Sequence, residues 1–437
     1  MVCLTRTRQA TVLIDGNNFY ASCEAVVDPA VIGRPLVVLS NNDGCIVSRS
    51  AEARALGIAM GQPFFRVRRD LERQGVIVRS SNYALYADMS ERLMSVLEEW
   101  VEVLEIYSID EGFGLVQRPP GGDLTAWGHA LRRDVQRRLG LPVAVGIAAT
   151  KVLAKLANKW AKTAPKGGGA KPAVFDLGGV DTATAEAVLE ATAVEDVWGI
   201  GRKLSRWCRL RGIANARALR DLPTGELRRR SGVVGMRLQQ ELRGHACLPL
   251  ELIPPAKRET CVSRSFSEPI NSPVDLQQAV ATYTTRAAEK LRRQHQCAGA
   301  LTVFVRSNPF NGTVLYANAA TVRLAVPSQD TAVLLAAALP LARSLFRAHK
   351  PLQKAGVVLQ ELSDETVLQH HLLVPLPPQL QQRRRALMAV MDQLNRRYGS
   401  GTIQWGACGL QAPWRMRRNH LSRAATTRLA DLPIVKA

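Results

Sequence analysis

The sequence lacks the features of a membrane protein or of a disulfide-stabilised protein. Its eight cysteines stand singly with no CxxC pair, a pattern that indicates neither a disulfide framework nor a zinc site and favours a reducing compartment. The first ten residues lack the apolar core of a signal peptide. The longest apolar stretch, residues 331–342, is about half of the ~20 residues that cross a bilayer. These absences predict a cytoplasmic protein that has no membrane partner.

Charge is distributed unevenly along the 437 residues. The chain carries 58 Lys and Arg against 37 Asp and Glu, for a net charge of +21. Residues 1–200 hold 22 basic and 23 acidic side chains, so the whole excess lies in residues 201–437. A near-neutral front half and a basic back half favour a nucleic-acid-binding protein. A solubilising surface or binding to an anionic membrane remain alternatives, although no basic amphipathic helix with an apolar aromatic face stands out.

Apolar periodicity and turn residues predict an α+β fold of several domains. Residues 11–163 alternate short strands and helices around a small sheet, with an inserted subdomain at about 25–80. A glycine-rich stretch at 166–172 resembles a linker, and residues 180–245 are helical and basic. Residues 259–362 follow the order strand, helix, strand, strand, helix, strand, which is ferredoxin-like.

Three carboxylates occupy positions where apolar neighbours disfavour an unpaired charge. Asp15 ends a buried strand, and Asp110 and Glu111 are adjacent at the centre of a predicted hairpin. Clustered carboxylates repel one another, and divalent cations relieve that repulsion. A pair of Mg²⁺ ions is the usual arrangement for in-line phosphoryl transfer. The alternative is that each acid pairs separately with an arginine at the surface.

Six segments then resemble, in order and spacing, the signature segments of Y-family DNA polymerases. They read LIDGNNFYASCE, SNNDGCIVSRSAEARALGI, SNYALYADMS, EIYSIDE, GIAATKVLAKLANKWAK and VWGIGRKLSRW. The resemblance spans essentially the whole chain. It implies an error-prone DNA polymerase of translesion synthesis in the SOS response, with a right-hand fold. The implied parts are a ferredoxin-like palm (1–24 and 81–165), small fingers (25–80), a helical thumb with a helix-hairpin-helix (166–248), a second ferredoxin-like domain or little finger (259–362) and a partner-binding tail (363–437).

The resemblance also implies roles for individual residues of the active site. The metal ligands are Asp15, the carbonyl of Gly16, Asp110 and Glu111, and two Mg²⁺ ions are the cofactors. Tyr20 is implied to be the aromatic gate that rejects a 2′-hydroxyl, with ordinary packing as the alternative. The implied contacts to the incoming triphosphate are Ser48, Arg54, Tyr83 and Lys162. Lys151, Lys155 and Lys162 lie on one helical face, and a solvated face is the alternative for Lys155 and Lys162.

Further resemblances concern DNA and protein partners. Gly199, Gly201 and the basic helix that begins near Lys203 resemble a phosphate-binding helix-hairpin-helix, and Arg264 and Ser265 are candidates to grip the DNA backbone. Implied partners are primer–template DNA, dNTPs, a processed UmuD-type dimer, a RecA-type recombinase filament and a sliding clamp, with nucleoid association when active. The clamp peptide falls on Gln369, Leu372 and Leu373, where His370 and a missing aromatic depart from the usual pattern. The alternatives in function are an inactive DNA- and clamp-binding scaffold and, more weakly, a two-metal nuclease or cyclase.

Overall fold

The computed structural model describes residues 9–119, 122–163, 172–309, 315–367, 377–410, 412, 414 and 416–432. The chain forms two compact units. The first unit comprises Met1–Ser40, Gly44–Pro254 and His420–Ala437, and the second comprises Asn41–Asp43 and Pro255–Asn419. No helix within the described ranges is long and apolar enough to cross a membrane.

The first unit contains eight strands and ten helices among its described residues. In chain order these are β1 Gln9–Gly16, α1 Phe19–Val27, β2 Leu36–Leu39, β3 Ile46–Arg49, α2 Ala51–Ala55, α3 Phe64–Arg73, β4 Ile77–Ser80, α4 Tyr83–Glu98, β5 Val103–Ile106, β6 Glu111–Gln117, α5 Thr125–Leu139, β7 Val143–Ala148, α6 Lys151–Ala161, β8 Val174–Asp176, α7 Thr182–Ala191, α8 Arg202–Arg209, α9 Ala216–Asp221 and α10 Thr224–Leu242.

A five-stranded sheet in the order β5-β6-β1-β7-β8 lies at the centre of the first unit. The part of the unit that is built on this sheet is the palm. β1 pairs antiparallel with both β6 and β7. Val12 and Ile14 pack on one face of the sheet in the core that includes α4 and α5, whereas Leu13 packs on the other face with α6. Both faces are covered, and this explains why β1 is an almost continuous apolar run instead of an alternating one.

Helix α6 lies directly on the palm sheet at a glycine. A Cβ on Gly146 of β7 would come within 2.1 Å of the backbone nitrogen of Asn158 and 2.4 Å of the carbonyl oxygen of Ala154. The buried Asn158 amide donates hydrogen bonds to the carbonyl oxygens of Leu13 (3.2 Å) and Ala144 (2.9 Å). Close approach and two interior hydrogen bonds therefore fix the position of α6 relative to β1 and β7.

The inserted fingers and the helical thumb surround this sheet. The fingers have a three-stranded sheet in the order β3-β2-β4 with a small core of their own. The helices α7 to α10 share one apolar core with α6. The buried Glu241 of α10 accepts hydrogen bonds from the backbone N–H of Val152 (3.2 Å) and of Leu248 (2.9 Å), which attaches the thumb to the start of α6.

The second unit has the predicted order of strands and helices. Its elements are β9 Thr260–Ile270, α11 Pro273–Arg293, β10 Gln296–Arg306, β11 Ala317–Ser328, α12 Thr331–Leu345, β12 Leu352–Asp364 and α13 Pro378–Tyr398. The sheet is antiparallel, in the order β11-β10-β12-β9, and α11 and α12 contribute to its core. Arg292 of α11 binds Asp392 of α13 through two hydrogen bonds, of 2.6 and 2.8 Å.

A buried ion pair joins two strands of the palm sheet. Arg118, just after β6, donates two hydrogen bonds of 2.5 and 2.7 Å to Asp176 at the end of β8. We expect Arg118→Met to lower the free energy of unfolding by about 3–5 kcal/mol in urea denaturation, because the Asp176 carboxylate stays buried without its cation.

The matched control for this prediction is an ion pair at the surface. Arg138 and Glu99 form an exposed pair with an Nη1–Oε2 distance of 2.7 Å, so Arg138→Met should lower the free energy of unfolding far less than Arg118→Met does. Equal losses in the two variants would contradict the importance of the buried pair.

Candidate active site

Two neighbouring strands of the palm sheet, β1 and β6, bring the three predicted carboxylates together where β1 ends and β6 begins. Asp15 of β1 and Glu111 of β6 are cross-strand partners. Asp110 lies in the turn just before β6, where its carbonyl oxygen accepts a hydrogen bond from the backbone N–H of Gly16 (2.8 Å). The Ser108 hydroxyl donates to the Asp110 carboxylate (2.8 Å) and fixes its orientation. The carboxylates are therefore neighbours because of strand register.

Burial and mutual repulsion disfavour the charged forms of these acids. The pKa of Asp15 is raised to about 7, chiefly by burial and further by the nearby Glu111, against the opposing effect of Lys162. Burial also raises the pKa of Asp110, and the charge of Glu111 adds to this, while the Ser108 hydrogen bond lowers it. A site with these properties attracts cations.

Two lysines of α6 and its C-terminal end supply positive charge to the cluster. The Lys162 ammonium group forms an ion pair with Asp15, and Lys155 Nζ lies 3.0 Å from Glu111 Oε2. In this arrangement no group of three or more His, Cys, Asp or Glu side chains within the described ranges is set to hold a metal ion. The donor set still fits divalent cations, because Asp15 and Asp110 line one cleft, Glu111 lies opposite Asp15 on the neighbouring strand, and burial penalises the unneutralised charge of Asp15 and Asp110.

An aromatic cage surrounds the Lys155 ammonium group. Its Nζ lies 4.3 Å from the ring centroid of Tyr107 and 5.4 Å from that of Trp198. The Trp198 indole N–H donates to the Tyr107 hydroxyl (3.2 Å). Tyr107 and Trp198 were not predicted as site residues from the sequence, although both lie within the segments EIYSIDE and VWGIGRKLSRW. Lys155, which pairs with Glu111, is thus linked by a cation–π contact to Trp198, the residue that precedes Gly199.

The solvated-face alternative is wrong for Lys155, and Lys151 on the same helical face is also enclosed. Lys151 is buried, and its Nζ lies 2.5 Å from Glu105 Oε2 and 3.2 Å from the carbonyl oxygen of Pro249. Lys155 faces Glu111. The close packing of α6 on the sheet turns this face of the helix towards acidic partners on β5 and β6, which helical periodicity alone could not reveal.

Tyr20 belongs to a cluster of three tyrosines. Its ring stacks on that of Tyr86 at a centroid distance of 4.3 Å and an interplanar angle of 12°, and it meets Tyr83 edge-on at 6.2 Å. Tyr86 is fully buried and donates its hydroxyl to Glu24 Oε1 (2.6 Å). Tyr86 therefore has a packing role, whereas Tyr83 is exposed at the start of α4.

A cleft of about 360 Å³ joins the carboxylates to the fingers. The Ser48 hydroxyl is buried and bonds to the backbone of Asn18 and Ala21, at 3.3 Å each. The Arg54 guanidinium donates to Asn18 Oδ1 (3.2 Å). Seven of the predicted site residues line this one cleft: Asp15, Gly16, Tyr20, Ser48, Arg54, Asp110 and Lys162.

The predicted DNA-contacting residues lie on exposed turns and strands. Gly199 has φ +93°, and a Cβ there would come within 2.5 Å of Leu238, so the turn requires glycine. Gly201 is the N-cap of α8 and faces open space, and Lys203 is exposed on α8. In the second unit, Arg264 and Ser265 are exposed on β9. The clamp-motif residues Gln369, Leu372 and Leu373 lie outside the described residues.

Comparisons with known proteins agree over the whole chain. The impB/mucB/samB family model matches residues 14–159, and the model of its C-terminal domain matches residues 257–372. A model described as a domain of unknown function matches residues 385–435.

Relatives and a solved structure match over most of their own lengths. Protein UmuC of Salmonella typhimurium is 44% identical over 426 residues, which cover 97% of this chain and 99% of the relative. Protein MucB of Escherichia coli is 40% identical over 427 residues, covering 97% and 98%. A solved Y-family DNA polymerase chimera, Dbh-Dpo4(243-245)-Dbh, has a TM-score of 0.60 at 19% identity and covers 81% of this chain and 99% of its own.

The fold is that of the Y-family DNA-directed DNA polymerases, as the sequence resemblance implied. The chain belongs to the impB/mucB/samB family, the group of the UmuC and MucB proteins.

The raised pKa of Asp15 predicts how its replacement affects stability. The folded state holds a proton on this carboxyl up to about pH 7, whereas the unfolded chain loses it near its ordinary value, so the ionised form lowers stability as pH rises across that window. Without added metal, Asp15→Asn should therefore melt at a higher temperature than wild type at about pH 8, and the difference should vanish towards about pH 4.

Asp134→Asn is the control of opposite sign. A hydrogen bond from Trp100 lowers the pKa of Asp134, so its charged form stabilises the fold, and the variant should melt lower at about pH 8. A melting temperature of Asp15→Asn below that of wild type at about pH 8 would refute the destabilising role of the Asp15 charge.

Proposed function

We propose that this polymerase copies damaged template DNA in the SOS response by two-metal nucleotidyl transfer. A primer 3′-hydroxyl attacks the α-phosphate of a dNTP, the bond from the α-phosphorus to the bridging oxygen of the β-phosphate breaks, and pyrophosphate leaves. The observation that carries the proposal is the cleft in which Asp15 and Asp110 face Tyr20, Arg54 and Lys162. A nucleotide needs acidic groups for metal ions, basic groups for phosphates and an aromatic surface for the sugar, and this cleft offers all three.

Asp15, the carbonyl oxygen of Gly16, Asp110 and Glu111 are the groups that would hold two Mg²⁺ ions. Such ions supply charge neutralisation to the attacking and leaving oxygens in phosphoryl transfer. Lys162 lines the same cleft, and its ammonium group suits a triphosphate oxygen as well as it suits Asp15. Lys155, held by its aromatic neighbours, orients the Glu111 carboxylate.

The fingers supply the remaining nucleotide contacts. Arg54 donates to Asn18 through one nitrogen, and its other donors suit the phosphates of the dNTP. Ser48 bonds to the backbone beside Asn18 and shapes the wall of the cleft next to Arg54. Tyr83 is exposed at the start of α4 and adds a hydroxyl donor for the triphosphate.

Contacts to the DNA backbone come from both units. In the thumb, 166–248, the Gly199–Gly201 turn and Lys203 offer backbone N–H groups and a cation to phosphates. In the little finger, 259–362, Arg264 and Ser265 offer the same kind of contact on β9. Neither set reads bases, as copying an arbitrary template requires. The palm is assigned to 1–24 and 81–165 and the fingers to 25–80.

The proposed protein partners are a processed UmuD-type dimer, a RecA-type recombinase filament and a sliding clamp. Gln369, Leu372 and Leu373 are the proposed clamp contacts, and 363–437 is the proposed docking region. Cytoplasmic location with nucleoid association follows from the template. These assignments are supported by the family alone.

Primer extension past an abasic site tests the polymerase and its metal site together. We expect Asp110→Ala/Glu111→Ala to abolish extension with Mg²⁺ and dNTPs, because no cation can then be held beside the primer end. Binding of primer–template DNA should be unchanged, since the exposed basic residues lie elsewhere.

The control for that test is Asp134→Ala, which removes a carboxylate at a distance from the cleft. The assay is run with and without accessory proteins. Extension by the double variant would refute the metal assignment, and DNA binding by wild type without extension under any condition would favour the inactive scaffold.

Tyr20→Ala tests the sugar contact. Loss of the ring should raise ribonucleotide incorporation by at least about tenfold, because the space that a 2′-hydroxyl needs becomes available. Tyr398→Ala, on the exposed end of α13, serves as control. Unchanged sugar selectivity in steady-state incorporation assays would exclude the gate.

A further inference from the structure

The C-terminal segment 420–422 packs within the first unit, beside the start of α4. The backbone N–H of Ser80 donates to the His420 carbonyl oxygen (2.9 Å), and the His420 N–H donates to the Ser80 hydroxyl (3.0 Å). The Asn82 side-chain amide donates to the Ser422 hydroxyl (3.0 Å). Three hydrogen bonds therefore join this segment to the residues that lead into α4.

The same segment also contacts the helix cap and the fingers. Asn82 is the N-cap of α4, and its Oδ1 accepts the backbone N–H of Leu85 (3.3 Å), so the amide that binds Ser422 is the one that begins the helix. The His420 ring meets the Phe64 ring of α3 edge-on at a centroid distance of 5.9 Å. The position of the α4 N-terminus thus depends on residues more than 300 positions away in sequence.

The start of α4 carries the support for Tyr20. Tyr86 stacks on Tyr20 and donates to the fully buried Glu24 of α1. Burial raises the pKa of Glu24, while hydrogen bonding from Tyr86 and Ser422 lowers it. Ser422 therefore faces both groups that hold the Tyr86 ring: the Asn82 cap and the Glu24 carboxylate.

We propose that residues 420–422 are a positioning element for sugar discrimination, which holds the α4 N-terminus so that Tyr86 presents Tyr20 to the sugar of the incoming nucleotide. This inference rests on the proposed sugar contact of Tyr20. It gives an intramolecular role to part of residues 385–435, the region matched by the domain of unknown function.

The test uses the full chain with His420→Ala/Ser422→Ala, which removes the ring contact with Phe64 and the hydroxyl that binds Asn82. The ratio of kcat/KM for dNTP over rNTP should fall about three- to tenfold, part of the way to the value for Tyr20→Ala. Thr427→Ala is the matched control, because that hydroxyl lies five residues after the segment and bonds to the carbonyl oxygen of Ala424 in its own turn. Its ratio should equal that of wild type.

Hydrogen–deuterium exchange gives a readout that does not need activity. The backbone amides of Leu85 and Tyr86 should exchange faster in the double variant and at the wild-type rate in Thr427→Ala. If the double variant fails to fold, Ser422→Ala alone is measured in the same two assays.

The outcomes separate the two hypotheses. If Tyr20→Ala loses selectivity for dNTP over rNTP but His420→Ala/Ser422→Ala keeps the wild-type selectivity, the positioning role alone is overturned. Unchanged selectivity in Tyr20→Ala overturns the sugar contact and, with it, the inference. Unchanged exchange at Leu85 and Tyr86 also overturns the positioning role, whatever the kinetics.

Discussion

The active site depends on the antiparallel pairing of β1 with β6. That register sets Asp15 opposite Glu111 and places the Asp110 turn beside Gly16. It gathers carboxylates whose charges repel one another where burial already penalises them. Two lysines compensate for this concentration of negative charge, because Lys155 pairs with Glu111 and Lys162 pairs with Asp15.

Helix α6 and its C-terminal end carry the lysines that neutralise this negative charge. The position of the helix is fixed by its contacts with β1 and β7. Gly146 lets the helix approach β7, and Asn158 bonds to two strands. From this position Lys151 is buried against Glu105, whereas Lys155 is directed to Glu111. The cage of Tyr107 and Trp198 around Lys155 then connects the carboxylate cluster with the Gly199–Gly201 turn that precedes α8.

The aromatic wall of the cleft has a comparable dependence on distant parts of the chain. Tyr20 is supported by Tyr86, and Tyr86 by the buried Glu24. Segment 420–422 bonds to the cap of the helix that carries Tyr86. The carboxylates and Tyr20 are thus both supported by side chains that do not line the cleft, such as Lys155 and Tyr86. Supporting contacts of this kind fix the geometry of a site whose own groups are exposed.

Strand ends, turn residues and helical periodicity are local properties, so the sequence by itself determined the α+β fold, the ferredoxin-like second unit and the candidate carboxylates Asp15, Asp110 and Glu111. Local patterns also predicted that Lys155 and Lys162 share a helix face. Tertiary structure alone decided what that face meets, because the partners Glu105, Glu111 and Asp15 come from three strands. It alone decided the contact of Ser422 with Asn82, since hydrogen bonds between residues so distant in sequence leave no periodic signal in either segment.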